Sequence, residues 1–556
     1  MGGWIAHMKK TYLIGIDLGT QGTKTAIYDA DGSLVADAFE PSMLITPAPG
    51  HVEEDADARY GAVLRTIREV VEKSGAAPGE VAAIGMDGQM AGIMGVDGGF
   101  NADTPYDSWL DTRCGKYITL LRDGGDDVYI RLSGCPVTYA HAPKILWWKN
   151  ERPEAYGLIE KFVMMNTYVA GRLAGLRARD AYIDFTQLHF AGFGDIQKLE
   201  WSRAMTGEYG VCPDKLPRIA SPWETVGTLA RGQAELCGLA AGIPVVAGCG
   251  DQPATSLGAG VLDPGDAFDV AGTASLFACC VGGYEPDVAN RTLICARSII
   301  EGRWLSQAYI NGGGLSVRWC KELFENAMPA GGGVEGGSAS SRTAGGAGYA
   351  ALEAEAGAIP PGSNGLLFVP HFQGRVCPND PDVRGSFAGL NWSHTRGHMF
   401  RAVMESIGYE YALYADILRA CAGSDAGSGA NAGAGSGANA GAGLGASAGS
   451  GPVIDKVIVI GGGAKSSVFN QIKSDILGLA YLPSARSDAP MLGCVINAGF
   501  GVGLYPDIAA ATRKMTRFSD GIAPRPEYTR EYAIYRQLYK EMLTALTGIY
   551  RRLPTV

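Results

Sequence analysis

Two aspartates that follow apolar strands into turns of small residues are the side chains in this 556-residue sequence best placed to do chemistry. In Gly15-Ile16-Asp17-Leu18-Gly19-Thr20-Gln21-Gly22-Thr23-Lys24 a strand runs into a Gly-rich hairpin whose backbone N–H groups, hydroxyls and Lys24 can face phosphate. Asp17 can then orient a hydrated magnesium ion. The alternative is an ordinary hairpin with a turn aspartate. In Gly248-Cys249-Gly250-Asp251-Gln252-Pro253, an Asp two residues before a Pro opens a small-residue helix. That is the spacing of an N-cap, so Asp251 reads as a helix cap as readily as a proton acceptor.

Two further turns suit the same chemistry. Gly272-Thr273-Ala274-Ser275 offers hydroxyls and closely approachable backbone. In the run Ile458 to Ser467 a strand breaks into Gly461-Gly462-Gly463 ahead of a helix from about Val468, so a flat ring or a phosphate can approach bare backbone at a helix N-terminus. No G-x-x-x-x-G-K-[ST] loop occurs, so a nucleotide must be held in another way.

The elements that must position these turns alternate between strand and helix, which argues α/β. Strands are predicted over Tyr12 to Ile16, Lys24 to Tyr28 and Leu34 to Ala38 as a small antiparallel sheet, and a helix over Asp57 to about Lys73, where Tyr60, Val63, Leu64, Ile67, Val70 and Val71 recur at helical spacing. Much later Ala267 to Ala271 and Leu276 to Cys280 again read as strands around a Gly-Thr turn. Asp17-Leu18-Gly19-Thr20 and Asp269-Val270-Ala271-Gly272-Thr273 thus suggest a duplicated, two-lobed chain. Residues 422–451 and about 330–348 are low-complexity runs dominated by Gly and Ala, expected to be mobile surface insertions.

Composition narrows the partners. The length exceeds what one core serves, and 46% hydrophobic with 19% charged residues is ordinary for globular domains. A net charge of -10 with scattered Lys and Arg leaves no footprint for nucleic acid or anionic lipid, so a small molecule is the expected ligand. The twelve cysteines include no C-x-x-C pair and read as reduced thiols of a cytoplasmic protein. No apolar run is long enough to span a bilayer or serve as a signal-peptide core. The histidines show no ligand spacing. Residues 1–7 are set aside because Met8 can be the natural start.

Taken in order, the hairpin, Gly-Asp-Gln, Gly-Thr and G-G-G-A segments resemble the FGGY carbohydrate kinases of the actin-like ATPase superfamily. The resemblance covers nearly the whole chain. Its most specific element is Gly385-x-Phe387-x-Gly389-Leu390, seven residues, then His398-Met399-x-x-Ala402-Val403-Met404-Glu405. Tyr139 to Glu151, around Lys144 and Trp147, is similar to a second family pattern except at His141 and Trp148.

The resemblance implies a two-lobed, ribonuclease H-like duplicated fold with a cleft, divided into 1–253 (sugar side and phosphate hairpin) and 254–556 (nucleotide side). It also implies ATP and Mg2+. Asp251 would be the general base, Asp17 and Asp251 would flank the metal, and Gln252 would bond the sugar. Thr20, Gln21 and Lys24 would contact phosphate, with Gly272 and Thr273 facing the transferred group. Gly314, Gly462, Gly463 and Ser467 would lie against the nucleotide, and Arg318 occupies a position that approaches it. Gln89, Met90, Trp109, Asp111 and Tyr139 would line the sugar side.

Gly88-Gln89-Met90-Ala91-Gly92 is similar to the G-Q-M-H-G turn of xylulose kinases, with Ala91 the discordant letter. The expected reaction is phosphorylation of a ketopentose such as D-xylulose, with ribulose, erythritol or gluconate as alternatives and an actin- or Hsp70-like ATPase as the non-metabolic one. Self-association into a homodimer is left open. The loop Pro370 to Arg375 stands where relatives carry a G-E-R turn, which leaves its role undefined.

Overall fold

The computed structural model describes residues 10–272, 274–326, 345–424 and 454–554. Its frame is two sheets of matching design. In the first, Tyr12–Gly19 pairs antiparallel with Gly22–Asp29, which pairs antiparallel with Leu34–Pro41. On its other side Tyr12–Gly19 runs parallel to Val81–Gly88, followed by Pro244–Val246 and Thr225–Thr228, while Cys249–Gly250 also pairs with Val81–Gly88. The expected small antiparallel sheet is therefore one side of a seven-stranded mixed sheet. Its parallel partners lie dozens of residues away, beyond the reach of a local pattern.

The second sheet repeats the plan. Asp266–Ala271 pairs antiparallel with Ser275–Val281, which pairs with Trp304–Ile310 and then Ile294–Arg297. Asp266–Ala271 also runs parallel to Lys456–Ile460, which lies beside Ala480–Pro483. A three-strand meander followed by parallel strands thus occurs twice, as the repeated Asp and Gly-Thr elements suggested.

Helices cover these sheets with their apolar faces. Ala56–Ser74 starts where Asp55 accepts from the Ala58 N–H at 2.9 Å and stops at Gly75, whose φ of 65° ends the helix in the left-handed region. Its Tyr60, Val63, Ile67 and Val70 pack into a core with Ile14, Ile16 and Ile27. Arg396–Ser424 places Phe400, Val403, Met404, Ile407 and Tyr411 in the second core.

Two helices join the halves. Asp251–Ala259 packs against Ala489–Gly501, and the expected boundary at 253 and 254 falls inside the first of them. Side chains would hold them apart: a Cβ on Gly258 would lie 1.9 Å from the Ala489 carbonyl oxygen, and one on Gly493 2.0 Å from that of Ala254. Ala489–Gly501 also rests on Tyr12–Gly19 and Val81–Gly88, so a helix from the end of the chain completes the first lobe.

Of the two low-complexity runs, residues 345–348 open the helix Gly345–Gly357 and 422–424 close Arg396–Ser424, so these parts are helical rather than loop. The rest of both runs lies outside the described residues. No helix among the described residues is long and apolar enough to cross a membrane.

Candidate active site

Three adjacent strands of the first sheet end together and deliver three carboxylates. Asp17 stands opposite Asp87 in parallel register, and Asp87 stands opposite Cys249. Asp251 follows Cys249–Gly250 as the first residue of its helix. The helix cap is Gly250, not Asp251. Its carboxyl group is thus not spent on capping, and Oδ1 is buried without a hydrogen-bond partner.

Burial, then the nearby Asp17 charge, push the Asp251 carboxyl up to about 7. Asp87, wholly buried, is raised well above the usual carboxylate range by burial and by the Asp17 and Asp251 charges. Cys494 of the helix Ala489–Gly501 donates to its Oδ2 at 3.3 Å, and Oδ1 has no partner. Sequence reasoning missed Asp87. The signal available was a lone carboxylate inside the apolar strand Val81–Gly88, two residues before Gln89.

Asp17 is 7% exposed, and Lys24 reaches its Oδ2 at 3.4 Å from a half-exposed position. Two neighbouring carboxylates, one of them with an unpartnered buried oxygen, and a lysine at the rim suit a hard, partly hydrated cation that carries phosphate. Magnesium therefore fits Asp17 and Asp251. Among the described residues no group of three or more His, Cys, Asp or Glu side chains is arranged to hold a metal ion by protein ligands alone.

Beside Asp251 a cavity of about 460 Å³ opens between the lobes. Thr20, Gln89, Met90, Trp109, Tyr139, Asp251 and Gln252 line it from the first lobe, joined by Ala274, Tyr309, Asn311, Gln373, Arg375 and Asn379 from the second. The Gln89 turn is built rigidly. The Gln89 N–H bonds the Leu18 carbonyl at 3.1 Å, and its Nε2 donates to Glu54, which is ion-paired with Arg59. Arg59 in turn donates to the Gly19 carbonyl at 2.9 Å, tying the turn to the phosphate hairpin. The Oε1 atoms of Gln89 and Gln252 are buried without partners.

Ala91 adopts a φ of 62°, and Lys144, buried at the start of the helix His141–Glu151, donates to its carbonyl at 3.1 Å and to that of Asp107 at 3.4 Å. Lys144 thus clamps the turn to the segment that carries Trp109. Trp109 Nε1 donates to Thr20 Oγ1 at 2.9 Å. Asp111 is placed differently: it is fully buried, accepts from the Val52 N–H at 2.7 Å and Arg113 Nε at 2.8 Å, and does not line the cavity. Its charge holds Arg113.

The remaining expected residues gather at turns of both lobes. Gln21 is exposed at the hairpin tip, its carbonyl accepting from the Ser42 N–H at 3.1 Å. Gly272 follows the strand Asp266–Ala271, and Thr273 lies outside the described residues. Gly463 packs on the same strand, where a Cβ would lie 2.2 Å from that of Ala271. Ser466 caps the helix Ser467–Leu477, one residue earlier than expected, and Gly462 and Ser467 are exposed beside it. Gly314 lies in the first turn of Gly313–Asn326, while Arg318 is exposed and meets Glu322 at 3.8 Å. None of these lines the cavity, so an acceptor space and a set of glycine turns adjoin through Ala274.

Two lobes of repeated topology around a carboxylate-bearing cleft define an actin-like phosphotransferase fold. Residues 12–258 and 284–502 match the N- and C-terminal domain models of the FGGY family of carbohydrate kinases. The chain belongs to that family and is an ATP-dependent sugar phosphotransferase. It is 25% identical to a xylulose kinase of Lactococcus lactis over 95% of this chain and 97% of that one, and 25% identical to a gluconokinase of Bacillus subtilis over 98% of each. A solved xylulose kinase from Lactobacillus acidophilus superposes with a TM-score of 0.82 at 23% identity, covering 98% of this chain and 99% of the other.

Proposed function

We propose that the chain transfers the γ-phosphoryl group of ATP to the primary hydroxyl of a ketopentose, converting D-xylulose to its 5-phosphate, with Asp251 accepting the hydroxyl proton. The observation that carries this reading is the Asp251 carboxyl group: Oδ1 has no partner and the side chain lines the same cavity as Gln89, Met90, Trp109, Tyr139 and Gln252. A base raised toward neutrality accepts a proton more readily than an ordinary carboxylate, and general-base catalysis as a whole contributes about 10² to 10⁴ in rate. The buried Oε1 atoms of Gln89 and Gln252 are acceptors for sugar hydroxyls.

Thr20, Gln21, Lys24, Gly272 and Thr273 are assigned to phosphate, and Gly314, Gly462, Gly463 and Ser467 to the nucleoside side. Asp17 and Asp251 would hold magnesium, which when bound would supply charge neutralisation at the phosphoryl group. Support for the ketopentose comes from the Gly88 to Gly92 turn and from xylulose kinases among the relatives. Gluconate is the second reading, favoured by the gluconokinase of the same 25% identity.

The test is ADP release from Mg-ATP across xylulose, ribulose, fuculose, gluconate, glycerol and erythritol. Highest kcat/KM with xylulose is the expected outcome. Highest kcat/KM with gluconate replaces the ketopentose assignment.

A further inference from the structure

Among the described residues Asp251 and Arg375 are the only charged side chains lining the cavity, and they come from different lobes. Arg375 is held in a way that leaves part of its donor set unused. Its Nη2 donates to Glu410 Oε2 at 2.8 Å, which is its only side-chain hydrogen bond among the described residues, and Nε is buried with no partner. A buried N–H without an acceptor is costly unless something arrives to accept it.

The guanidinium is also fixed in direction. Glu410 is fully buried, accepts from the Tyr539 hydroxyl at 2.7 Å and faces His371 Nε2 at 3.2 Å. Arg375 is thus held by a buried carboxylate at the cavity wall with a donor to spare, and is not a flexible surface cation.

We propose that Arg375 is a specificity residue that donates a hydrogen bond to the carbonyl oxygen of a neutral keto sugar whose primary hydroxyl meets Asp251. This assignment rests on the ketopentose reading above and adds the group that reads the ketone. The chemistry selects the carbonyl on two grounds. Guanidinium only donates, so it suits an oxygen that has no proton of its own to place. A hydroxyl in that position brings a proton that needs a further acceptor. Secondly, the Glu410 carboxylate is hydrogen-bonded to the same guanidinium and cancels much of its charge, so an acceptor carboxylate would meet repulsion from Glu410 as well as attraction from Arg375. A neutral carbonyl gains the hydrogen bond without that opposition.

The experiment compares kcat/KM for D-xylulose, xylitol and D-gluconate in the wild type and in the paired variant Arg375→Met/Glu410→Gln, which removes both charges and so leaves no buried carboxylate unpaired. Folding is checked by thermal melting and by ATP affinity, which should not change. The wild type should prefer xylulose to both other acceptors. In the paired variant the ratio of xylulose to xylitol should fall roughly 10- to 100-fold, mainly through KM, because a site built to bond an oxygen discriminates through that bond. Discrimination by the wild type that persists unchanged in the folded variant overturns the Arg375 assignment alone. A wild type that prefers gluconate or xylitol overturns the ketopentose reading and this assignment with it.

Discussion

The two meanders carry an aspartate at matching places and treat it oppositely. Asp17 pairs in register with Lys24 and Asp87, faces two other acids, and meets its one lysine at 3.4 Å near solvent. Asp269, paired in register with Phe277 and Val459, is fully buried, ion-paired with the buried Lys473 and bonded by the Tyr411 hydroxyl at 2.8 Å. The backbone was repeated, but only one copy keeps an unbalanced carboxylate. In this fold the charge balance around a strand end, more than the strand itself, separates a neutralised aspartate from one that keeps excess negative charge.

Breaking the balanced copy should have the largest effect on stability. Lys473→Met leaves Asp269 buried without its counter-ion and should cost about 3–5 kcal/mol, read as a shift of the urea midpoint. The open copy predicts a pH effect. Burial and Asp17 raise Asp251 from 3.8 to about 7, so the folded protein keeps a proton that the unfolded chain has lost. That contribution to stability is complete below pH 4 and disappears as the pH rises through about 7. In metal-free protein, Asp251→Asn should therefore gain stability relative to wild type as the pH rises from 4 to 8, by roughly 4 kcal/mol over the whole range, in denaturant titrations at each pH.

A smaller effect is expected where the second meander meets the glycine turn. Gly463→Ala would force its Cβ against Ala271 and should cost about 1–3 kcal/mol, seen by calorimetry, with weakened ATP binding if this turn serves the nucleotide. Smallest is Lys24→Met. Its half-exposed pair should contribute less than about 1 kcal/mol to stability. A loss as large as that of Lys473→Met would show that the two hairpins are not opposites after all.

Local elements were legible in the sequence. The strand expected to break at Gly461 is found as Lys456–Ile460, the helix Ala56–Ser74 within one residue at each end, and the first three strands are each three residues longer than expected. The matching Asp and Gly-Thr turns likewise announced the duplication. What remained hidden depends on distant pairs. Nothing in Val81–Gly88 alone shows that Asp87 lies between Asp17 and Cys249, because that requires the parallel register of two other strands. The Arg375, Glu410 and Tyr539 chain spans 164 residues, which no spacing rule covers. The cap at Asp251 was misread because Asp before Gln-Pro satisfies the local rule, whereas Gly250, held to Thr186 Oγ1 at 3.0 Å, takes the cap position.

The central claim is that Asp251 takes the proton of the acceptor hydroxyl. The most direct measurement is sugar-dependent ADP release by Asp251→Asn alongside its ATP affinity. The account predicts a fall of about 10² to 10⁴ in kcat with ATP binding retained. Wild-type turnover in the folded variant would contradict it.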